Sequence, residues 1–208
     1  MNLILQPSHA ELNAAALNSL LCQPVSQSLI SRLVESACSI GSLPSSFGFY
    51  EDDDTLSLEN FLWTLTFYSG STALDLMGAL VYLSRLKTLI RPEAEKGAYT
   101  NHRYILVSLI LASKYLNDQW LRNKDWARWG MIDNRLCFSP AQVNLMERQI
   151  LDVLNWNLRI TENDLLNELE PILCPIRERL YQQYVRNFWV AVNDWFRGSA
   201  AGVGRITW

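Results

Sequence analysis

Two helices with few polar positions dominate the hydrophobic pattern of the chain. Residues 100–118 read TNHRYILVSLILASKYLND and leave almost no polar stripe. A helix that is apolar nearly all round belongs at the centre of a helical domain. The second helix, predicted over residues 140–154, follows Ser139 as N-cap and has Pro140 at its first position. Its aliphatic residues also predict burial against neighbouring helices.

Each of these helices places a charged residue among its apolar positions. Lys114 lies in the first helix and Glu147 in the second. A charge in such a place is costly unless it is paired and hydrogen-bonded. Two groups of opposite sign therefore predict an ion pair in the folded chain, at a surface that a partner would cover. The alternative is a lysine that reaches solvent and a glutamate on an exposed stripe. Spacing alone leaves both interpretations open.

Helical periodicity continues through the rest of the chain. Further helices are predicted at 10–21, 25–39, 56–69, 72–90, 124–129, 162–169 and 175–196. The helix at 162–169 is expected to stop at Pro171, because proline breaks a helix interior. No segment shows the sustained alternation of a strand. The predicted fold class is all-α.

The organisation predicted along the chain has four parts. Residues 1–54 hold N-terminal helices and a connecting loop, 55–160 a five-helix core, 161–197 the C-terminal helices, and 198–208 a flexible glycine-rich tail. No internal repeat is present. A chain of 208 residues suits one domain with appended helices.

Composition and charge exclude several classes of protein. The chain is 49% hydrophobic and 19% charged, which is typical of a globular protein. A net charge of -3 without a basic stripe argues against nucleic-acid binding. No apolar run is long enough to span a bilayer, and no signal peptide is visible. Four scattered cysteines, Cys22, Cys38, Cys137 and Cys174, predict reduced thiols and no zinc site. We expect a soluble intracellular protein of the cytoplasm or nucleus.

Residues for catalysis do not form a recognisable set. His9 and His102 are the only histidines, and His102 falls in the first turn of a helix, where a structural role is favoured. There is no phosphate-binding loop, no nucleophile elbow and no metalloprotease motif. The sequence therefore predicts a protein that is not an enzyme and needs no cofactor, metal or small-molecule ligand.

The tryptophans allow two interpretations. Trp120, Trp126, Trp129 and Trp156 cluster around the predicted helices 124–129 and 140–154, and Trp189 and Trp195 lie on the last helix. Large aromatic side chains usually fill a core, and this is the favoured prediction. Tryptophan is also common at interface hot spots, so one or two could face a partner.

Several short sequence motifs, in the order found in the family, resemble the cyclin box. They are DLMGALVYLSRLK at 75–87, ASKY at 112–115 and NLMERQILDVLNWNL at 144–158. Within the family, the chain is similar to the fungal Pcl-type cyclins that partner the phosphate-pathway cyclin-dependent kinase, to which cyclin Y is the animal relative. TNHR at 100–103 and NKDWA at 123–127 carry that finer resemblance.

The resemblance implies a fold, a function and a site. The five-helix core would be a cyclin box, and the chain would be the regulatory subunit that binds and activates a cyclin-dependent protein kinase and helps direct its substrate choice. Lys114 would donate to backbone carbonyls near the start of the kinase αC helix. Glu147 would orient Lys114 and accept from kinase amides, while Leu116 and Leu151 would add apolar contact.

Some features depart from the cell-cycle members of the family. The helix at 56–69 contains neither arginine nor lysine, and Ser84 stands where an aspartate is common. The MRAIL sequence that recruits substrates is missing. An alternative is a cyclin-fold adaptor, scaffold or transcription-related module that activates no kinase. A helical interaction protein unrelated to cyclins is a more distant possibility.

Overall fold

The computed structural model describes residues 6–40, 53–90, 100–118, 121–132, 135–136 and 138–201. Its elements, in chain order, are α1 (His9–Leu21), α2 (Gln27–Cys38), α3 (Asp53–Ser69), α4 (Ala73–Leu89), α5 (Thr100–Leu116), α6 (Asn123–Trp129), β1 (Met131–Ile132), β2 (Arg135–Leu136), α7 (Pro140–Val153) and α8 (Glu162–Ala201). The all-α prediction is confirmed. One small addition is the antiparallel ladder of β1 and β2, which is too short to show strand alternation in the sequence.

The helix α5 forms the centre of the fold, as its pattern predicts. Every residue from 105 to 112 is no more than 2% exposed. Helices α2, α3, α4, α6 and α7 all pack against α5. Because α5 is surrounded in this way, a charged side chain on it is tolerated only near its ends or with a bonding partner.

Close approach of α4 and α5 depends on one glycine and one buried carboxylate. A Cβ at Gly78 would lie 2.8 Å from Leu116 Cδ1, so a larger residue would require Leu116 or the helix to shift. Asp75 is 3% exposed. Its carboxylate accepts hydrogen bonds from the Thr72 amide and from Asn117 Nδ2, each at 2.7 Å. The buried charge therefore links the start of α4 to the end of α5.

Helix α8 corrects the sequence prediction. It runs without a break through Pro171 and Pro175, so the predicted stop at Pro171 and the restart near Pro175 are wrong. Each proline deprives the carbonyl four residues earlier of its donor, which is why a break was expected. The two carbonyls that lose a donor are those of Asn167 and Pro171. Both residues are exposed, and so is Pro175. Water can solvate carbonyls on an exposed face, and a continuous helix becomes tolerable.

The chain groups into two compact units. One is Gln23–Leu169, and the other contains α1 and the part of α8 from Glu170 onward. Within the smaller unit, Arg177 Nη1 donates to Asn13 Oδ1 at 3.0 Å and ties α8 to α1. The predicted domain boundaries stay predictions. The predicted tail is helical as far as Ala201. Residues 202–208, 41–52 of the predicted loop, Trp120 and Cys137 lie outside the described residues.

Across the described ranges, no helix combines the length and apolar character that crossing a bilayer requires.

Candidate partner-binding surface

The predicted charge pair forms. Lys114 Nζ lies 2.6 Å from Glu147 Oε1, and the two side chains are 28% and 15% exposed, respectively. The pair joins α5 to α7. The alternative of two separately solvated charges is therefore wrong, while the predicted role of the pair toward a kinase remains a prediction.

A third residue, Asn123, completes the network. Its Oδ1 accepts from Lys114 Nζ at 2.8 Å, and its Nδ2 donates to Glu147 Oε2 at 2.5 Å. The same Nδ2 lies 2.8 Å from Asn144 Oδ1 on α7. One amide thus satisfies both members of the pair. The sequence prediction missed Asn123 as a site residue, although the residue opens the NKDWA motif that carried the resemblance.

The end of α5, the start of α6 and the middle of α7 bring these residues together. Lys114 lies in the last turn of α5, and Asn123 is the first residue of α6. Trp126 is fully buried and anchors the short α6. Ser139 and Gln142 form a capping box that fixes the start of α7, as the predicted N-cap requires. The site therefore depends on the packing of helices whose contributing residues are distant in sequence.

The network has hydrogen-bonding capacity left for a partner. An ammonium carries three N–H donors, and a carboxylate has about four lone-pair sites. Among the described residues, Lys114 uses two donors and Glu147 receives one hydrogen bond at each oxygen. Charge-assisted hydrogen bonds are stronger than neutral ones. The surface can thus offer a donor to a carbonyl and acceptors to an amide, side by side.

The two leucines predicted for this surface differ in position. Leu151 is half-buried on α7 and lies four residues after Glu147, which places both on one face of the helix. Leu116 is also half-buried, but its Cδ1 points toward Gly78 of α4. The structure therefore gives more support to Leu151 than to Leu116 as a partner contact. Tyr115, next to Lys114, is 47% exposed and was missed.

Trp156 stands at the end of α7 and is 65% exposed. Its amide bonds to the Leu151 carbonyl at 2.9 Å, and the Asn155 amide bonds to the Asp152 carbonyl at 3.1 Å. These two bonds form a Schellman motif, which turns the chain so that the backbone of Trp156 returns to that of Leu151. Trp156 therefore follows a tight turn at the end of α7, where its Nε1 donates to Asp152 Oδ1 at 3.1 Å.

The core prediction for the tryptophans is right only in part. Trp126 is fully buried and packs edge to face with Trp129. Trp156, Trp189 and Trp195 are between 58% and 65% exposed, so the core prediction is wrong for them. Burial of these side chains depends on which helix faces pair, and the aromatic content of a sequence does not contain that information.

Comparison with known proteins agrees with this architecture. The family model described as "Cyclin, N-terminal domain" matches residues 56–159. The chain is 35% identical to PHO85 cyclin-1 of Saccharomyces cerevisiae over 173 residues, which are 79% of this chain and 60% of that protein. It is 35% identical to PHO85 cyclin-9 of the same yeast over 163 residues, 77% of this chain and 52% of that protein. Cyclin-U4-1 of Arabidopsis thaliana is 27% identical over 109 residues, 52% of this chain and 50% of that protein.

The chain belongs to the cyclin family. Within the family its similarity to the PHO85 cyclins supports the Pcl-type resemblance. The chain spans between 52% and 60% of the length of the first two relatives.

Proposed function

We propose that this chain is a regulatory subunit that binds and activates a cyclin-dependent protein kinase and helps direct its substrate choice. The names of its yeast relatives describe cyclins of PHO85, and we propose a kinase of that type as the partner. The complex would act in the cytoplasm or nucleus. The chain itself would catalyse no reaction.

The observation that carries the proposal is the network of Lys114, Asn123 and Glu147. A half-buried ion pair is weak support for stability, because desolvation offsets much of the attraction. Here the pair is already assembled, retains hydrogen-bonding capacity and involves α7, the helix that carries Leu151 and is followed by the exposed Trp156. Exposed aromatic side chains are enriched at protein interfaces and their hot spots, so Tyr115 and Trp156 support the same interpretation.

The proposed mechanism is selection of one kinase conformation. Active kinases require an ion pair between a lysine of the small lobe and a glutamate of the αC helix. Lys114 would donate to carbonyls at the start of αC, and Glu147 would accept from kinase amides. A partner that binds the active arrangement more tightly shifts the population toward it by its difference in affinity. The cyclin therefore activates without contributing a reacting group.

Activation is tested by measuring substrate phosphorylation by purified yeast PHO85. The kinase is assayed alone, with the wild-type chain, and with the chain carrying Glu147→Ala. We expect the wild-type chain to raise the rate strongly and Glu147→Ala to lose most of that increase. The chain without kinase should turn over no ATP.

The matched control is Glu35→Ala on α2, which removes an exposed carboxylate from a surface pair with Arg32. It should activate like the wild type. Binding without activation would support the adaptor alternative, whereas equal rates in all samples would contradict the proposed function.

A further inference from the structure

The YLSRL sequence of α4, residues 82–86, which the proposed function does not use, binds the segment between α7 and α8. Tyr82 Oη donates to the Leu158 carbonyl at 2.9 Å. Arg85 Nη1 donates to the Asn157 carbonyl at 2.9 Å, and Arg85 Nη2 donates to the Arg159 carbonyl at 2.6 Å. Two side chains on one face of α4 thus hold three consecutive carbonyls.

The guanidinium is itself fixed by a carboxylate. Arg85 Nη2 also donates to Asp164 Oδ2 at 3.0 Å. That oxygen accepts from the amide and hydroxyl of Thr161, each at 2.8 Å, at the start of α8. Burial raises the pKa of Tyr82, so its hydroxyl stays protonated and can donate. The brace, defined as Tyr82 and Arg85, therefore holds the segment 157–159 in one path.

The backbone just before that segment is strained. Asn155 and Trp156 have φ angles of 50° and 58°, in the left-handed region. Glycine or asparagine adopts this region readily, whereas a bulky residue there is strained. Such conformations persist only where the surrounding structure over-determines them. The bonds from the brace begin at the very next residue, Asn157.

The strained backbone of Trp156 is not accompanied by burial of its side chain. Its side chain is 65% exposed and its Nε1 donates to Asp152 Oδ1 at 3.1 Å. A glycine at this position would remove the strain, and an exposed indole adds little to the stability of the isolated chain. A partner that covers the indole would bury it, and this burial would account for a tryptophan at a strained position.

We propose that Tyr82 and Arg85 are positioning residues for the partner surface. They fix the segment 157–159 and thereby hold the exposed Trp156, at the end of the helix that carries Glu147, in the orientation that the partner recognises, without touching the partner themselves. This inference rests on the proposed function. It predicts that the brace affects kinase binding through Trp156 and through no other route.

The test is a double-mutant cycle read by the dissociation constant for yeast PHO85. Arg85→Met removes the donors but keeps the length of the side chain. We expect it to weaken binding about tenfold in the wild-type chain and by less than about threefold in a Trp156→Ala background, because residues that act as a unit are not additive. In an Asn123→Ala background the loss should remain about tenfold.

Two further measurements separate positioning from general destabilisation. Hydrogen exchange of the free chain should become faster at residues 157–160 in Arg85→Met and stay unchanged in α4 and α5. Ser84→Ala is the matched control, because Ser84 is the neighbour of Arg85 on α4 but donates to Glu168, at 2.5 Å. It should bind the kinase like the wild type. Tyr82→Phe, which removes a single hydroxyl, repeats the cycle if Arg85→Met does not fold.

The outcomes are distinct. Equal losses for the brace variant in the wild-type and Trp156→Ala backgrounds would overturn the positioning role, as would an unchanged affinity in Arg85→Met and Tyr82→Phe. A wild-type chain that does not bind the kinase at all would instead overturn the proposed function and this inference with it. Non-additivity with Trp156 and additivity with Asn123 would support both.

Discussion

Lys114 and Arg85 are two cations with similar exposure, 28% and 24%, yet they bond to different kinds of acceptor. Within the described part of the chain, Lys114 bonds to the side chains of Asn123 and Glu147. Arg85 bonds to two backbone carbonyls and to Asp164, a carboxylate that caps α8. Each cation spans separate elements of the same compact unit.

The difference teaches what each network can do. Bonds to backbone carbonyls fix the path of the chain, so loss of Arg85 should change conformation. Bonds among side chains fix only those side chains, and a partner can add to them without moving the backbone. Fixed geometry at one site and remaining hydrogen-bonding capacity at the other are complementary requirements of a recognition surface.

The largest expected effect comes from the pair itself. Lys114→Ala or Glu147→Ala should weaken kinase binding by about 2–5 kcal/mol, because each leaves a charge without its partner in a covered interface. The fold should survive, since the pair lies at the edge of α5 and not within residues 105–112. Isothermal titration and thermal melting measure the two effects. A variant that fails to fold would show that the pair is structural, and unchanged affinity in both would remove it from the interface.

A smaller effect is expected from the bridging amide. Asn123→Ala should weaken binding by about 1–3 kcal/mol, because Lys114 and Glu147 each lose one hydrogen bond. The matched control is Asn144→Ala, which removes only an exposed acceptor of the Asn123 amide. Surface plasmon resonance compares the two variants. Equal kinase affinities of the Asn123→Ala and Asn144→Ala variants would mean that the hydrogen bonds of Asn123 to Lys114 and Glu147 contribute nothing to recognition.

The Arg85 network should respond to acid. The Thr161 amide, the Thr161 hydroxyl and Arg85 hold the pKa of Asp164 below its ordinary value. A lowered carboxyl pKa means that the ionised form stabilises the folded state above the ordinary pKa of about 4 and that this stability is lost as the pH falls through the folded-state pKa. Asp164→Asn should therefore melt below the wild type at pH 7, and the difference should shrink toward pH 3. A difference independent of pH would contradict this assignment.

The smallest effect is expected at the surface pair of Arg32 and Glu35. These side chains are 32% and 68% exposed and lie 3.7 Å apart. Exposed pairs contribute little because water and salt screen them. Glu35→Ala should leave both the melting temperature and kinase affinity within experimental error. A clear loss of affinity would place α2 in the interface. The partner surface would then extend beyond the networks of Lys114 and Arg85.

Local signals in the sequence determined much of this fold. The apolar pattern around Ile110 predicted the central helix, and Ser139 with Pro140 predicted the start of α7, because periodicity and capping are properties of neighbouring residues. The isolated charges of Lys114 and Glu147 indicated a pair, since an unpaired charge among apolar residues is costly. The sequence words also led to the cyclin family, which the family comparison confirms.

Tertiary structure alone decided the rest. Asn123 became part of the network because α6 packs against α7, and nothing local distinguishes its amide from that of Asn144. Trp156 is exposed while Trp126 is buried, because pairing of helix faces and a Schellman turn, not residue type, set their positions. Pro171 did not end α8, since solvation of a freed carbonyl depends on which face meets water. Which helix faces pair and which face water is set by residues far apart in the chain, and that information has no signature within a short window of sequence.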